Sequence, residues 1–255
     1  VSELGARCGI SHTAPLAVLQ EKLTLGIRKG RPVHFLPPYR ADNKLKLSRW
    51  LGICPEAIAD RISIELAIAI VSLRDKKSDE EIREIEDACE IGYRMHTTAM
   101  KMCRPGARER DIAGAIEGIA LEMGEGVSFH SIVTQHGETL HNHGHDGILE
   151  SGRMLLVDAG AENLMNYCSD FTRSYPVNGR FTPMQRDIYE IVLAANAHAF
   201  EMAKPGLLYK EVHLACVKVI LEGLKSLGLV RGDMDEAVAN GVHALFMPHG
   251  LGHLM

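Results

Sequence analysis

The sequence predicts an α+β fold in which a repeated helix pair flanks antiparallel strands. Three observations carry this. First, "AMKMCRPG" (residues 99–106) is echoed without a gap by "AFEMAKPG" (residues 199–206), one hundred positions later. Second, the agreement continues: Asp111-Ile112 matches Glu211-Val212, Ala115 matches Ala215, and Leu121-Glu122 matches Leu221-Glu222. Each copy reads as helix, basic-Pro-Gly break, second helix, because proline and glycine together punctuate a helical pattern. Third, the segments between the copies have the strand period: "SFHSIVTQHGETLHNH", "RMLLVDAG" and "YCSDFTRSYPVNG". A duplicated unit of this kind points to a pseudo-symmetric domain, with a site where its halves converge.

The elements follow in order. Within the first 74 residues, "PLAVLQEKLTLGIRKG" has a helical pattern, "HFLPPYR" reads as a proline-rich turn, and a second helix-like stretch follows Asn43. The charged "RDKKSDEE" marks a domain boundary and the solvated entrance of the next helix. Ser78 and Glu81 have capping-box spacing, so a long amphipathic helix opens there and runs to about Cys103. Asn163 and Asn166 in "AENLMN" turn the chain between the last two strands, which makes residues 153–177 a β-hairpin.

Composition excludes several classes. A chain of 255 residues can bury a sizeable core. Its net charge of −5 and isoelectric point near 6.2 give no electrostatic case for nucleic acid or an anionic membrane. The longest apolar run, "ISIELAIAIVSL", is too short to span a bilayer and carries Glu65. The N-terminus, which begins with Val1, has no signal-peptide pattern. Six scattered cysteines without a CxxC pair predict a reduced, cytoplasmic protein.

The hairpin supplies the sharpest chemical argument. Asp158 and Asp170 are twelve residues apart and centred on Leu164. A turn centred there sets them directly opposite one another, with Cβ atoms about 4.5–5.5 Å apart, where like charges destabilise the pair. Both sit in apolar strand patterns, where an unpaired carboxylate is costly. One divalent cation, or two at about 3.5–4 Å, fits between them. The alternative is structural: one aspartate caps the "DAG" turn and the other pairs with Arg173 or Arg153. A one-residue slip in pairing register would send the two acids to opposite faces.

Histidines offer further donors. In "PHGLGHLM", His249 and His253 are four apart, but Gly250 and Gly252 between them disfavour a helix. In an extended chain the two would sit about 13 Å apart, too far for one ion. At most one binds a given metal, and the other reaches a nearby group such as substrate. Taken alone, the stretch reads as a glycine-rich turn with two incidental histidines. In "HGETLHNHGHDG", His141, His143 and His145 alternate. They either share a strand face as a metal site or form a polar hairpin tip with one functional member. His96, His198, His213 and His243 fall in helical stretches and, with His12, His34 and His130, read as core or surface residues.

Together, "LVDAG", "SDFTRSYPVNGRFTPMQRDIYEIV" and "MPHGLGHLM" resemble the metal-dependent proline peptidases, Xaa-Pro aminopeptidase (aminopeptidase P) and prolidase. These share the pita-bread fold with methionine aminopeptidase and creatinase. The resemblance runs from about Ser78 to the end. It implies that residues 1–76 are the remnant of a creatinase/prolidase-type N-terminal α/β domain. Residues 77–255 are then the N-terminal part of a pita-bread catalytic domain, in a chain truncated at both ends.

The resemblance further implies Asp158, Asp170 and His253 as metal ligands, His249 as a catalytic residue beside the substrate, and His141 as a substrate contact. It implies two divalent ions, Mn²⁺ with Zn²⁺ or Co²⁺ as substitutes, holding a bridging hydroxide that cleaves the Xaa-Pro bond of peptides or dipeptides. Two glutamate ligands are expected beyond "HGLGH", after this chain ends. Residues 1–255 alone are therefore expected to bind Mn²⁺ weakly, with little or no activity. The Asp158-to-Asp170 spacing is one residue longer than is common in that family. The competing expectation is a non-catalytic peptide-binding or chaperone-like protein of the same fold. A homodimer is compatible with the intact protein, and neither nucleic acid nor membrane is expected as a partner.

Overall fold

The chain divides between Lys76 and Lys77 into two units, and the computed structural model describes residues 2–253. The first unit contains α1 (Ser2–Arg7), α2 (Ala17–Arg28), α3 (Ala41–Leu51) and α4 (Ile64–Arg74). Helices α2 and α3 fall where the sequence pattern places them. The apolar run near Glu65 forms α4, whose first turn is capped by the Ser63 hydroxyl accepting from Leu66 N–H at 3.1 Å. Among the described residues no helix is long and apolar enough to cross a membrane.

The second unit opens with α5 (Asp79–Met102) and α6 (Glu109–Met123). Ser78 and Glu81 form the capping box at the start of α5, satisfying two N–H groups that the helix cannot satisfy itself. Strands β1 (Gly126–Val127), β2 (Ile132–Thr134), β3 (Met154–Ala159), β4 (Ala161–Glu162) and β5 (Phe171–Pro176) follow, then α7 (Pro183–Met202), α8 (Tyr209–Ser226) and α9 (Met234–Ala239). The strands pair antiparallel, in the order β2-β3-β5 in one sheet and β1-β4 in the other.

The internal echo is structural. Helix α5 ends at an extended Cys103 and α7 at an extended Ala203, each donating its N–H to the carbonyl four residues back. Gly106 and Gly206 then take φ of +84° and +92°, a region closed to most side chains. Helices α6 and α8 begin at Glu109 and Tyr209.

Strand β3 alternates strictly. Leu155, Val157 and Ala159 are fully buried against Ile91 and Met95 of α5 and Ile112 and Ile116 of α6. Each large apolar side chain there contributes about 1.5–3 kcal/mol. Met154, Leu156 and Asp158 are only half-buried, on the opposite face.

The predicted hairpin forms, with its centre at Met165 rather than Leu164. The reason is Asn163, whose side-chain oxygen accepts from Met165 N–H and Tyr167 N–H, both at 3.0 Å. Asn166 supplies the positive φ of 63°. Asn163 also donates to Glu84 Oε2 at 2.7 Å, docking the hairpin tip on α5. At Gly160 the strands approach so closely that an added Cβ would lie 1.8 Å from the Ser169 carbonyl oxygen.

The stretch "SFHSIVTQHGETLHNH" contributes only β2 as strand. Beyond Thr134 the chain becomes a loop, so His141, His143 and His145 share no strand face, which removes that alternative and leaves the polar tip. The loop is closed at its base by Glu109, a carboxylate only 3% exposed. Glu109 accepts from Gln135 N–H at 2.8 Å and Gly147 N–H at 3.0 Å, one on each oxygen. The cysteines are unbridged: Cys8 and Cys54 are exposed, Cys216 is buried, and burial pushes the Cys103 thiol up to about 11.

Two substitutions test these constraints. Gly160→Ala is expected to destabilise the protein by about 1–3 kcal/mol, because the new methyl meets backbone on the facing strand. Glu109→Gln is expected to cost about 1–3 kcal/mol, because one of two buried N–H groups then faces an amide donor. Urea midpoints, at unchanged slope, check both.

Candidate metal centre

The β3–β5 register decides where the two acids go. Asp158 lies opposite Thr172, and Ala159 lies opposite Phe171. The two aspartates are therefore diagonal neighbours, not directly opposed, which corrects the sequence expectation. Moving the turn centre by one residue moves the cross-strand partner by two. Because side chains alternate with period two, the acids stay on one face.

That face is the one turned away from α5 and α6. A cavity of about 690 Å³ opens beside it, lined by Met154, Thr172, Ser174, Met184 and Tyr189 among others. Burial pushes the Asp158 carboxyl above its ordinary value; a hydrogen bond from Thr172 opposes this, and the nearby Asp170 charge adds to it. His96 and His141 act weakly against the rise. Asp158 Oδ1 is buried and has no hydrogen-bond partner. An uncompensated carboxylate oxygen inside a protein is costly, so the atom is suited to a cation.

Asp170 meets a side chain from the far end of the chain: His253 Nε2 lies 3.1 Å from its Oδ2. The segment 246–253 is not helical, as the two glycines require. His249 is exposed and points its Nδ1 at the Gly250 carbonyl at 2.8 Å. The arginine alternative is not realised among the described residues. Arg153 pairs with Glu150 at 3.3 Å, and Arg173 donates to the Thr172 carbonyl at 2.8 Å.

His141 sits in the loop closed by Glu109, with φ of 53°. Its neighbours His143 and His145 are taken up elsewhere, packing on the His130 ring at 4.6 and 5.9 Å between centroids. His213 and His243 meet edge-on at 5.8 Å. Two residues that sequence reasoning left as background stand out: Glu109, and His96 on the buried face of α5. Ala88, Ile91, Met95 and Ala99 mark that face by helical spacing, so the burial of His96 was readable.

Two carboxylates and an imidazole on one side of the sheet, with one oxygen orphaned, fit a divalent cation in donor chemistry. The fit is one of chemistry. Among the described residues no group of three or more His, Cys, Asp or Glu side chains is arranged to hold a metal ion. Asp170 and His253 are instead hydrogen-bonded to each other.

Residues 83–255 match the metallopeptidase family M24. The chain belongs to this family. Among curated relatives of this M24 chain, the Xaa-Pro aminopeptidase of Escherichia coli K12 is 37% identical over 180 residues, covering 69% of this chain and 41% of that protein. A probable Xaa-Pro aminopeptidase of Botryotinia fuckeliana is 39% identical over 191 residues, with 73% and 41% covered. The M24 chain thus spans about two-fifths of these relatives' length. Among solved structures, the Pseudomonas aeruginosa aminopeptidase PepP superposes with a TM-score of 0.78 at 31% identity, covering 98% of this chain and 58% of that one. The proline aminopeptidase P II of Yersinia pestis gives 0.78 at 29% identity. The helices and antiparallel strands of the second unit are accordingly an incomplete pita-bread fold.

Metal-free stability tests the strain at Asp158. Its folded carboxyl holds a proton more tightly than the unfolded one, whose value is near 3.8. The stability this group contributes is present below that value and lost as pH rises through the raised folded value. Asp158→Asn is therefore expected to raise the melting temperature of the metal-free protein at neutral pH. The difference from wild type shrinks as the pH is lowered toward 3.8, as parallel thermal melts would show.

Proposed function

We propose that this M24 protein hydrolyses the peptide bond before a proline, at the N-terminus of peptides or in dipeptides. The reading is carried by Asp158 and Asp170 sharing a face, with His253 drawn across the chain to Asp170. Relatives whose names are Xaa-Pro aminopeptidase support it. In this reading residues 1–76 belong to a creatinase/prolidase-type N-terminal domain, and cysteines without disulfide bridges suit a reducing, cytoplasmic setting.

Asp158, Asp170 and His253 would hold the metal, with Mn²⁺ the preferred ion. A divalent cation bound there lowers the pKa of water toward about 7 and polarises a carbonyl. The remaining work falls to side chains. His249 commits its Nδ1–H to the Gly250 carbonyl, so Nε2 is left as the proton-accepting nitrogen. In its imidazolium form His249 would donate a hydrogen bond from Nε2 to the developing oxyanion. His141, held in the loop that Glu109 closes, positions the peptide. The described residues offer three of the five donors expected of a two-ion centre. Residues 1–255 alone are therefore expected to bind Mn²⁺ weakly and to have little or no activity.

A second reading is a non-catalytic peptide-binding protein of this fold, in which Asp170 and His253 satisfy each other rather than a metal, at 3.1 Å. Hydrolysis of an Xaa-Pro dipeptide and a longer Xaa-Pro peptide, with Mn²⁺ present, separates the two. The full-length protein should cleave at least one, lose that activity on chelation and regain it with Mn²⁺. Asp170→Asn should reduce cleavage to background. Peptide binding without cleavage, unchanged in Asp170→Asn, would establish the second reading.

A further inference from the structure

We infer that His96 is a positioning residue that sets the spacing between the Asp158 and Asp170 carboxylates from the far side of the sheet. The inference rests on the reading of those two acids as metal ligands.

His96 projects from α5 into the core and is 5% exposed. Its Nε2 lies 3.1 Å from the Ala159 carbonyl oxygen. A carbonyl only accepts, so Nε2 carries the proton and the ring is fixed in that tautomer. The same ring meets Phe171 edge-on, with centroids 6.0 Å apart and planes at 76°.

The two contact points are the telling feature. Ala159 follows Asp158, Phe171 follows Asp170, and Ala159 and Phe171 are cross-strand partners. One imidazole therefore touches both strands at the single pair that flanks both acids. Any shift of Ala159 relative to Phe171 shifts the two carboxylates with it.

The support behind His96 is stiff. Helix α5 has 24 residues and a capping box at its start. It lies close to β5 because position 92 is glycine: a Cβ there would come within 2.9 Å of the Phe171 ring. Packing alone does not account for a histidine here. His96 Nδ1 is buried without a partner, a cost that phenylalanine in the same space would avoid. What phenylalanine would lack is the hydrogen bond to the strand that carries Asp158.

Three full-length variants test this, with Mn²⁺ binding followed by the loss of the free-ion electron paramagnetic resonance signal. His96→Phe keeps a ring and removes the donor. His96→Gln places an amide donor at similar reach. Asp170→Asn removes a ligand. The expected result is a Kd for Mn²⁺ raised about 10–100-fold in His96→Phe, the range typical of lost support to metal ligands. His96→Gln should recover most of that loss, and both His96 variants should keep a cooperative metal-free melt.

Binding by His96→Phe within twofold of wild type, while Asp170→Asn binds poorly, would overturn the inference and leave the ligand reading intact. Equal losses in His96→Phe and His96→Gln, or a loss that tracks collapse of the metal-free melt, would overturn it in favour of a packing role. Equal binding by wild type and Asp170→Asn would overturn both readings together.

Discussion

The placement of two like-charged side chains on one face of a strand pair is the constraint on which the rest of the second unit depends. Left to themselves, neighbouring carboxylates push strands apart. Here the apolar residues of β3, locked under α5 and α6, hold the ladder in place. The energetic margin for a poorly compensated oxygen on Asp158 comes from the other side of the same strand. The alternation of side chains separates the two jobs: odd positions of β3 build the core and even positions face outward. A strand of six residues thereby serves stability and chemistry at once.

The elements around this pair have complementary tasks. The hairpin tip is fixed by Asn163, which organises its own turn and reaches α5. The loop bearing His141 is fixed by Glu109, a buried carboxylate compensated by backbone rather than by a countercharge. The helix–break–helix unit appears twice with its glycines in the same conformation. Its first copy supports the sheet that carries the aspartates, and its second leads to the segment carrying His253. Donors distant in sequence thereby meet, as Asp170 and His253 do at 3.1 Å.

Local signals made much of this legible. The capping box at Ser78, the Pro-Gly breaks, the alternation of β3 and the asparagines of the turn all act within a few residues, and each produced the element it announced. The strand pattern centres the turn one residue early because the hydrogen bonds of Asn163 are side-chain choices that it does not encode. The offset leaves both acids on one face, since pairing shifts in steps of two. The interactions that local pattern does not encode are long-range. Glu109 bonds residues 26 and 38 positions away, and His96 bonds one 63 positions away. His141, His143 and His145 look alike in sequence and are told apart only by tertiary contacts and backbone: His143 and His145 pack on His130, His145 also bonds the Ser131 carbonyl, and His141 takes a positive φ.

The distribution of cysteines has a practical corollary for spectroscopy. Cys8 and Cys54, the exposed pair, both lie in the first unit, whereas the four in the second are partly or fully covered. Thiol nucleophilicity depends on the thiolate, and burial holds Cys89, Cys103 and Cys216 in the protonated form. A maleimide dye added at neutral pH thus decorates the first unit preferentially. Fluorophores installed in this way report first on the unit that lacks the aspartates, with the partly covered Cys168 the competing thiol nearest to them.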